Sequence, residues 1–177
     1  MVSRDLLEAC RRGDAEAFEE LVERTQRQVY TLAYRLVGDR HEAEDVAQEA
    51  YLRVFRSLRG FRQEARFETW LYRIVTNAAF SHLRRKGRFG AVLAEGQESA
   101  IEEPEVRPVE AALDRDEVKR ALQALTPGAR TVVVLKDVYG LSCQEIADEM
   151  GLSEAAVKVR LHRARKRLKD AIWSKAT

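Results

Sequence analysis

The stretch from Leu141 to Leu168, LSCQEIADEMGLSEAAVKVRLHRARKRL, constrains the fold more than any other. Ser142 stands three residues before Glu145, the spacing at which a hydroxyl and a carboxylate cap a helix start reciprocally. Ile146, Ala147 and Met150 follow at helical period and face inward. Gly151 permits the left-handed turn that side chains resist, Leu152 plugs the angle, and Ser153 caps a second, longer helix. Small Ala147 suits a close crossing of the two helices. Two capped helices joined by so short a turn predict a helix-turn-helix.

In that motif the second helix lies in the major groove with its N-terminal residues at the base edges. Val157, Leu161, Ala164 and Leu168 form its apolar stripe, so Lys158, Val159, His162, Arg163 and Lys166 face out, with Ser153 at the start. These six are the candidate readers. Arg and Lys bind guanine edges or phosphates, and Val159 can meet a thymine methyl. Arg165, Arg167 and Lys169 are assigned to phosphate, which adds affinity and salt dependence without sequence choice. The competing reading is a basic amphipathic helix that is merely solvated; the capped turn in front favours the reader.

Charge is distributed unevenly behind a formal total of +2. Residues 1–86 carry +2, residues 87–117 carry −6 and residues 118–177 carry +6. The basic end predicts a polyanionic partner. No apolar run approaches the roughly 20 residues needed to span a bilayer, and the opening MVSRDLLEAC is too charged for a secretion signal. The expectation is a cytoplasmic protein with no direct membrane insertion. Cys10 and Cys143 lie far apart with no ligand-spaced companions, so neither a metal site, a cofactor nor a disulfide framework is expected.

The rest of the chain reads as helices. DAEAFEELVERTQRQVYTLAYRLVGD places Phe18, Leu21, Val22, Val29, Leu32, Ala33 and Leu36 on one stripe that Gly38 stops. RHEAEDVAQEAYLRVFRSLRGF turns Val46, Ala50 and Val54 inward, with Tyr51, Phe55 and Leu58 alongside. RFETWLYRIVTNAAFSHLRRK turns Phe67, Trp70, Leu71, Ile74, Val75 and Ala78 inward. From Gly87 to Pro108 the periodicity fails amid Gly, Pro and Glu, which reads as a linker. Helical period resumes at Val109 and runs to about Leu125. Thr126 with Pro127 reads as an N-cap and first helical position. The run Thr131 to Val134 is β-branched, but Pro127 and Gly140 bound it in register with capped helices, so a helix is predicted there. The fold class is therefore all-α: two small helical domains, 1–86 and 109–177, joined by a flexible acidic linker over 87–108.

The front half carries two further constellations. Glu42, Asp45 and Glu49 recur on one helix face with Gln48 beside them and Glu44 close by, either a solvated face or a protein-docking stripe. Phe61, Phe67, Trp70, Tyr72 and Phe80 precede Arg84, Arg85 and Lys86. Aromatic platforms beside cations suit single-stranded DNA, because bases stack and phosphates are neutralised. Phe67 and Trp70 sit on the inward stripe and read as core, whereas Asn77, Ser81 and His82 face away and can make polar contacts.

HEAEDVAQEAYLRVFRSLRGF, RFETWLYRIVTNAAFSHLRRK and the helix-turn-helix, in that order around an acidic linker, closely resemble the extracytoplasmic-function group of bacterial sigma factors over roughly residues 5–172. The resemblance implies a non-enzymatic subunit that recruits core RNA polymerase to promoters, with no small-molecule substrate. It implies docking on the clamp helices of the largest polymerase subunit through Asp45, Gln48 and Glu49. The loop from Phe61 to Phe67 and the helix after it would take the minus-ten element with one base extruded, through Phe61, Arg66, Phe67, Asn77, Ser81, Arg84, Arg85 and Lys86. Extrusion costs a few kcal/mol that a snug pocket must recover. Ser153, Lys158, Val159, His162, Arg163 and Lys166 would read the minus-thirty-five element as duplex. The acidic linker would thread the polymerase cleft, and an anti-sigma factor would be a partner, able to hold the protein at the membrane. Val159 departs from the small polar residue often found at its position, and no accessory domain is expected after Thr177. Two other classes compete: a dimeric duplex-binding regulator, for which the front half offers no phosphoacceptor pattern or heptad seam, and an adaptor that only docks on polymerase.

Overall fold

The computed structural model describes residues 2–61, 66–94, 121–122 and 124–173, the last without its side chain. Every regular element among them is helical, in two compact units divided after Lys86.

The first unit is built from α1 (Arg4–Arg12), α2 (Ala15–Val37), α3 (Arg40–Ser57) and α4 (Phe67–Arg85), with a 3₁₀ turn at Leu58–Gly60. Its helix junctions have no spare residues. Gly13 and Gly38 take left-handed conformations at φ 89° and 82°, and the very next residues, Asp14 and Asp39, cap the following helices. Asp14 Oδ1 accepts from the Ala17 amide at 3.1 Å and Asp39 Oδ1 from the Glu42 amide at 3.0 Å. A carboxylate there also favours the positive end of the helix dipole. Such back-to-back caps fold α2 and α3 into an antiparallel pair.

The core forms where α2, α3 and α4 meet. Val29, Leu32 and Ala33 of α2, Val46, Ala50 and Val54 of α3, and Leu71, Val75 and Ala78 of α4 are buried as the periodicity requires. α4 is buried more widely than one stripe, because it packs on both α2 and α3. Phe80 is fully enclosed and Ala79, Leu83 and His82 are buried as well. Phe80 is thus core rather than a base-stacking platform, and His82 faces inward, its Nε2 3.5 Å from a Glu42 carboxylate oxygen. Phe18, Val22, Trp70 and Ile74 are only half-buried.

The second unit contains α5 (Phe89–Leu93), α6 (Pro127–Val133), α7 (Cys143–Met150) and α8 (Glu154–Trp173). The β-branched run is helical, with Val132, Val133 and Val134 buried. The α-helix gives way at Val134–Val138 to a wider π turn, in which the Tyr139 amide donates to the Val134 carbonyl at 3.2 Å. Thr126 has extended N-cap geometry but its side chain makes no capping bond; the fixed φ of Pro127 sets the start. Residues 87–94 do not behave as open linker: Phe89 and Val92 are buried in this unit. Gly and Glu density marks the segment as a spacer, yet two apolar residues three apart suffice for one helical turn with a buried side. The remainder of the predicted acidic linker, 95–108, and most of the predicted 109–125 helix lie outside the described residues, as do residues 62–65.

Candidate functional site

The helix-turn-helix has the geometry its residues predict. The Glu145 amide donates to Ser142 Oγ at 3.1 Å, and the Ser142 amide donates to Glu145 Oε2 at 2.8 Å. Gly151 turns at φ 69°, the Leu152 amide reaches the Ala147 carbonyl at 3.0 Å, and Ser153 Oγ accepts from Ala156 at 3.1 Å. Val157 and Ala164 are fully buried and Leu161 nearly so, while Leu168 is half-buried. Lys158 and Lys166 are exposed, and Val159, His162 and Arg163 are half-buried. At 100° per residue these five cover an arc of about 140° opposite the buried stripe. Exposed Ala155 falls inside the same arc. Its small side chain, which carries no charge to mark it, leaves that part of the arc open. Lys158 is 3.4 Å from Glu154 one turn earlier.

Two other cations of this helix serve the fold. Arg165 is not directed at phosphate: its Nε donates to Asp137 Oδ2 at 3.0 Å and its Nη2 to Asp137 Oδ1. These hydrogen bonds raise the guanidinium pKa above its ordinary value. Arg160, which no periodicity singled out, is buried. A cation can be buried only with partners, and its nitrogens donate to the Val92 and Leu93 carbonyls.

On α4 the predicted minus-ten residues separate into two groups. Phe61 and Phe67 are buried and meet Trp70, with ring centroids 5.9 Å apart for Phe61–Phe67, 4.9 Å for Phe61–Trp70 and 5.7 Å for Phe67–Trp70. Their three rings pack on one another, with Phe61 and Phe67 buried and Trp70 half-buried. Arg66 is exposed just before α4, Asn77 and Ser81 are half-buried, and Arg84, Arg85 and Lys86 are exposed at its end. With half-buried Trp70 and Arg73, the residues from Arg66 to Arg85 make one stripe at i, i+3, i+4 and i+7 along the helix, while Lys86, the C-cap residue, lies off it. Arg73 was missed, although its spacing four before Asn77 was a readable signal. Tyr72 is turned the other way, its hydroxyl donating to Gln28 Oε1 at 3.1 Å.

On α3, Asp45 and Gln48 are exposed and Glu49 is ion-paired with Arg53 at 2.8 Å. The hydrogen bond from Arg53 leads the causes that lower the Glu49 pKa below the usual carboxylate range. Glu42 leaves the acidic stripe for His82. Two apolar residues complete this face: Leu52 is 51% and Phe55 60% exposed. Phe55 and Phe18 meet in a T-shaped pair with ring centroids 5.1 Å apart. The sequence signal is the i+4 and i+7 spacing from Gln48; the sequence reading sets Phe55 alongside the core stripe and assigns Leu52 no role. An open groove of about 500 Å³ runs beside Gln48 between α2 and α3, lined by Val22, Gln26, Tyr30, Glu44 and Tyr51. No cluster of three metal-type ligands occurs among the described residues.

Known families and proteins resemble the chain along its length. Sigma-70 region 2 matches residues 21–89, and Sigma-70, region 4 matches residues 115–168. The ECF RNA polymerase sigma factor SigE of Mycolicibacterium smegmatis is 39% identical over 89% of this chain, which spans 63% of that relative's length. The RNA polymerase sigma-H factor of Pseudomonas aeruginosa is 36% identical over 96% of this chain and 93% of its own. Among solved structures, CnrH in complex with the cytosolic domain of CnrY superposes with a TM-score of 0.60 at 27% identity, covering 97% of each chain.

Proposed function

This chain belongs to the extracytoplasmic-function group of RNA polymerase sigma factors, and from that premise we propose how its two units share promoter recognition. It is an alternative sigma factor that associates with bacterial core RNA polymerase and directs initiation at specific promoters. The first unit docks on the clamp helices of the largest subunit through Asp45, Gln48 and Glu49, with Leu52 and Phe55 supplying the apolar contact area. An exposed patch of that kind, acidic on one side and apolar on the other, suits a protein partner rather than a polyanion. The α4 stripe from Arg66 to Arg85, with Lys86 at the helix end, takes the minus-ten element, its cations neutralising phosphate while Asn77 and Ser81 make polar contacts to an extruded base. Phe61 and Phe67, packed with Trp70, take part at the start of that stripe. The second unit reads the minus-thirty-five duplex through Ser153, Lys158, Val159, His162, Arg163 and Lys166.

The reading rests above all on the solvent-facing arc of α8 behind a fully capped turn. No bond-making step is required of the chain: binding energy on two elements offsets the cost of opening the duplex. An anti-sigma partner is part of the proposal, as the similar CnrH is held in complex with the cytosolic domain of CnrY. No helix among the described residues is long and apolar enough to cross a membrane, so membrane retention would run through that partner.

Run-off transcription with bacterial core polymerase on genomic fragments tests the proposal. Discrete starts that depend on this chain and share two upstream elements are expected. A protein that shifts promoter duplex without polymerase would be a regulator, and one that binds polymerase without directing starts would be an adaptor; either result overturns the reading.

A further inference from the structure

α5 spans only five residues, yet parts of the second unit distant in sequence converge on it. Phe89 and Val92 are buried, 7% and 3% exposed. Arg160 of α8 donates from Nη1 to the Val92 carbonyl at 2.7 Å and from Nη2 to the Leu93 carbonyl at 2.9 Å. Carbonyls at a helix end have no intrahelical partner. The guanidinium therefore satisfies two of them and opposes the negative end of the helix. Gly128 of α6 supplies the room: a Cβ there would stand 2.4 Å from the Val92 carbonyl oxygen and 2.8 Å from Arg160 Nη1.

We propose that residues 89–94 are a releasable strap and that Arg160 is the residue that positions it. While the strap is docked, only Lys86, Gly87 and Arg88 separate α4 from the next element held by the second unit. Three residues let out at most about 14 Å of chain between flanking Cα atoms. The minus-ten and minus-thirty-five elements, by their names, lie about 25 base pairs apart, about 85 Å along the duplex. Adding the whole breadth of both units, about 30 Å each for this chain length, still falls short. Undocking adds residues 89–94 to that tether, about 21 Å more, which brings the sum to about 95 Å and past the required span. The strap therefore holds in the free protein and lets go when both elements are gripped. Its release rests on the promoter function proposed above; its docking does not.

Hydrogen exchange on the full-length protein, alone and bound to core polymerase with promoter DNA, tests both parts. The amides of Ala91 and Ala94, bonded to Arg88 and Gly90 carbonyls, report the strap, and that of Val157, bonded to Ser153, reports α8. In the free protein Ala91 and Ala94 are protected. Arg160→Met removes two charge-assisted bonds, so their protection falls by roughly 10- to 100-fold while Val157 keeps its own. Gly128→Ala gives the same result by pushing the Val92 backbone away, with Arg160 intact, and guards against a folding defect peculiar to the arginine variant. In a promoter complex that yields run-off transcript, wild-type protection at Ala91 and Ala94 is lost and that at Val157 stays. Unprotected strap amides in the free protein, or protected ones in the transcribing complex, overturn the proposal. A complex that yields no transcript refutes the promoter function and with it the release, and the free-protein arm alone then decides the docking.

Discussion

Arg165 distinguishes a reader of phosphate from a brace within the fold, and the two roles respond oppositely to mutation. Its bidentate pairing with Asp137 joins α8 to the turn after α6, between side chains 24% and 35% exposed. A charge-assisted pair in a protected site contributes about 1.5–3 kcal/mol, and a fully exposed one about 0–1. Intermediate exposure with bidentate geometry places this pair near 1 kcal/mol after solvent screening. Arg165→Ala and Asp137→Ala should each lower the melting temperature of the second unit by about 4–8 °C, the shift 1 kcal/mol gives in a domain of this size. The double variant should lose little more than either single one, because both remove the same contact. Binding of the holoenzyme to promoter DNA across a salt series supplies the second readout. A lost phosphate contact would reduce the log–log slope by about 0.9; a lost brace leaves the slope unchanged. Arg165→Ala with unaltered melting and a slope smaller by about 0.9 would refute the brace, as would tighter binding by Asp137→Ala.

Four other outcomes are expected. Phe80→Ala, at a fully enclosed site, should destabilise the first unit by about 3–5 kcal/mol in denaturant titration, whereas the same change at Phe55 should cost far less. Leu52→Asp should weaken core-polymerase binding at least about tenfold, as loss of an apolar anchor does, with no change in melting; an unchanged affinity removes Leu52 from the docking face. Ser142→Ala breaks the capping box and should cost about 1 kcal/mol, seen as earlier exchange of the α7 amides. Glu49, held down first by its hydrogen bond from Arg53, should titrate below 4.5 by NMR and return toward that value in Arg53→Met. The sign follows from linkage: a depressed folded value means the unfolded chain binds the proton first. This contribution to stability is therefore present above the ordinary carboxylate range and lost as pH falls through the folded value.

The helix-turn-helix was legible residue by residue because its determinants are local: Ser142, Glu145, Gly151 and Ser153 act within four positions of themselves. The same holds for Gly38 as a stop and for the stripes of α2 and α3. What escaped was set by tertiary neighbours. Phe80 points away from the main stripe of α4, and only the wedging of that helix between α2 and α3 buries it, whereas His82 lies four residues after Ala78 and seven after Val75, on the stripe itself, where its polarity hid a readable spacing. Periodicity cannot tell a buried arginine from a reading one, so Arg160 and Arg165 entered the same basic count as Arg163. Phe55 lies at helical spacing from Tyr51 and Leu58 as well as from Gln48, and the spacing does not say which neighbour it keeps; Leu52 lies nearly opposite the buried stripe, a position its apolar character concealed. The first turn of the linker shows the opposite error, since its glycines and charges hid two apolar residues that find a pocket.

The junctions at Gly13–Asp14 and Gly38–Asp39 also bear on when the protein becomes competent. Helices joined by caps with no residue to spare make their contacts between near neighbours in the chain, and such folds form in microseconds to milliseconds. Ribosomes add about 5–20 residues per second, so the second unit takes several seconds to synthesise after Lys86 is made. The acidic and apolar face of α3 is thus complete on the nascent chain well before α8 exists. A binding partner of that face can meet it during translation, ahead of any DNA; protease resistance of stalled chains carrying residues 1–86 beyond the exit tunnel would register this early folding.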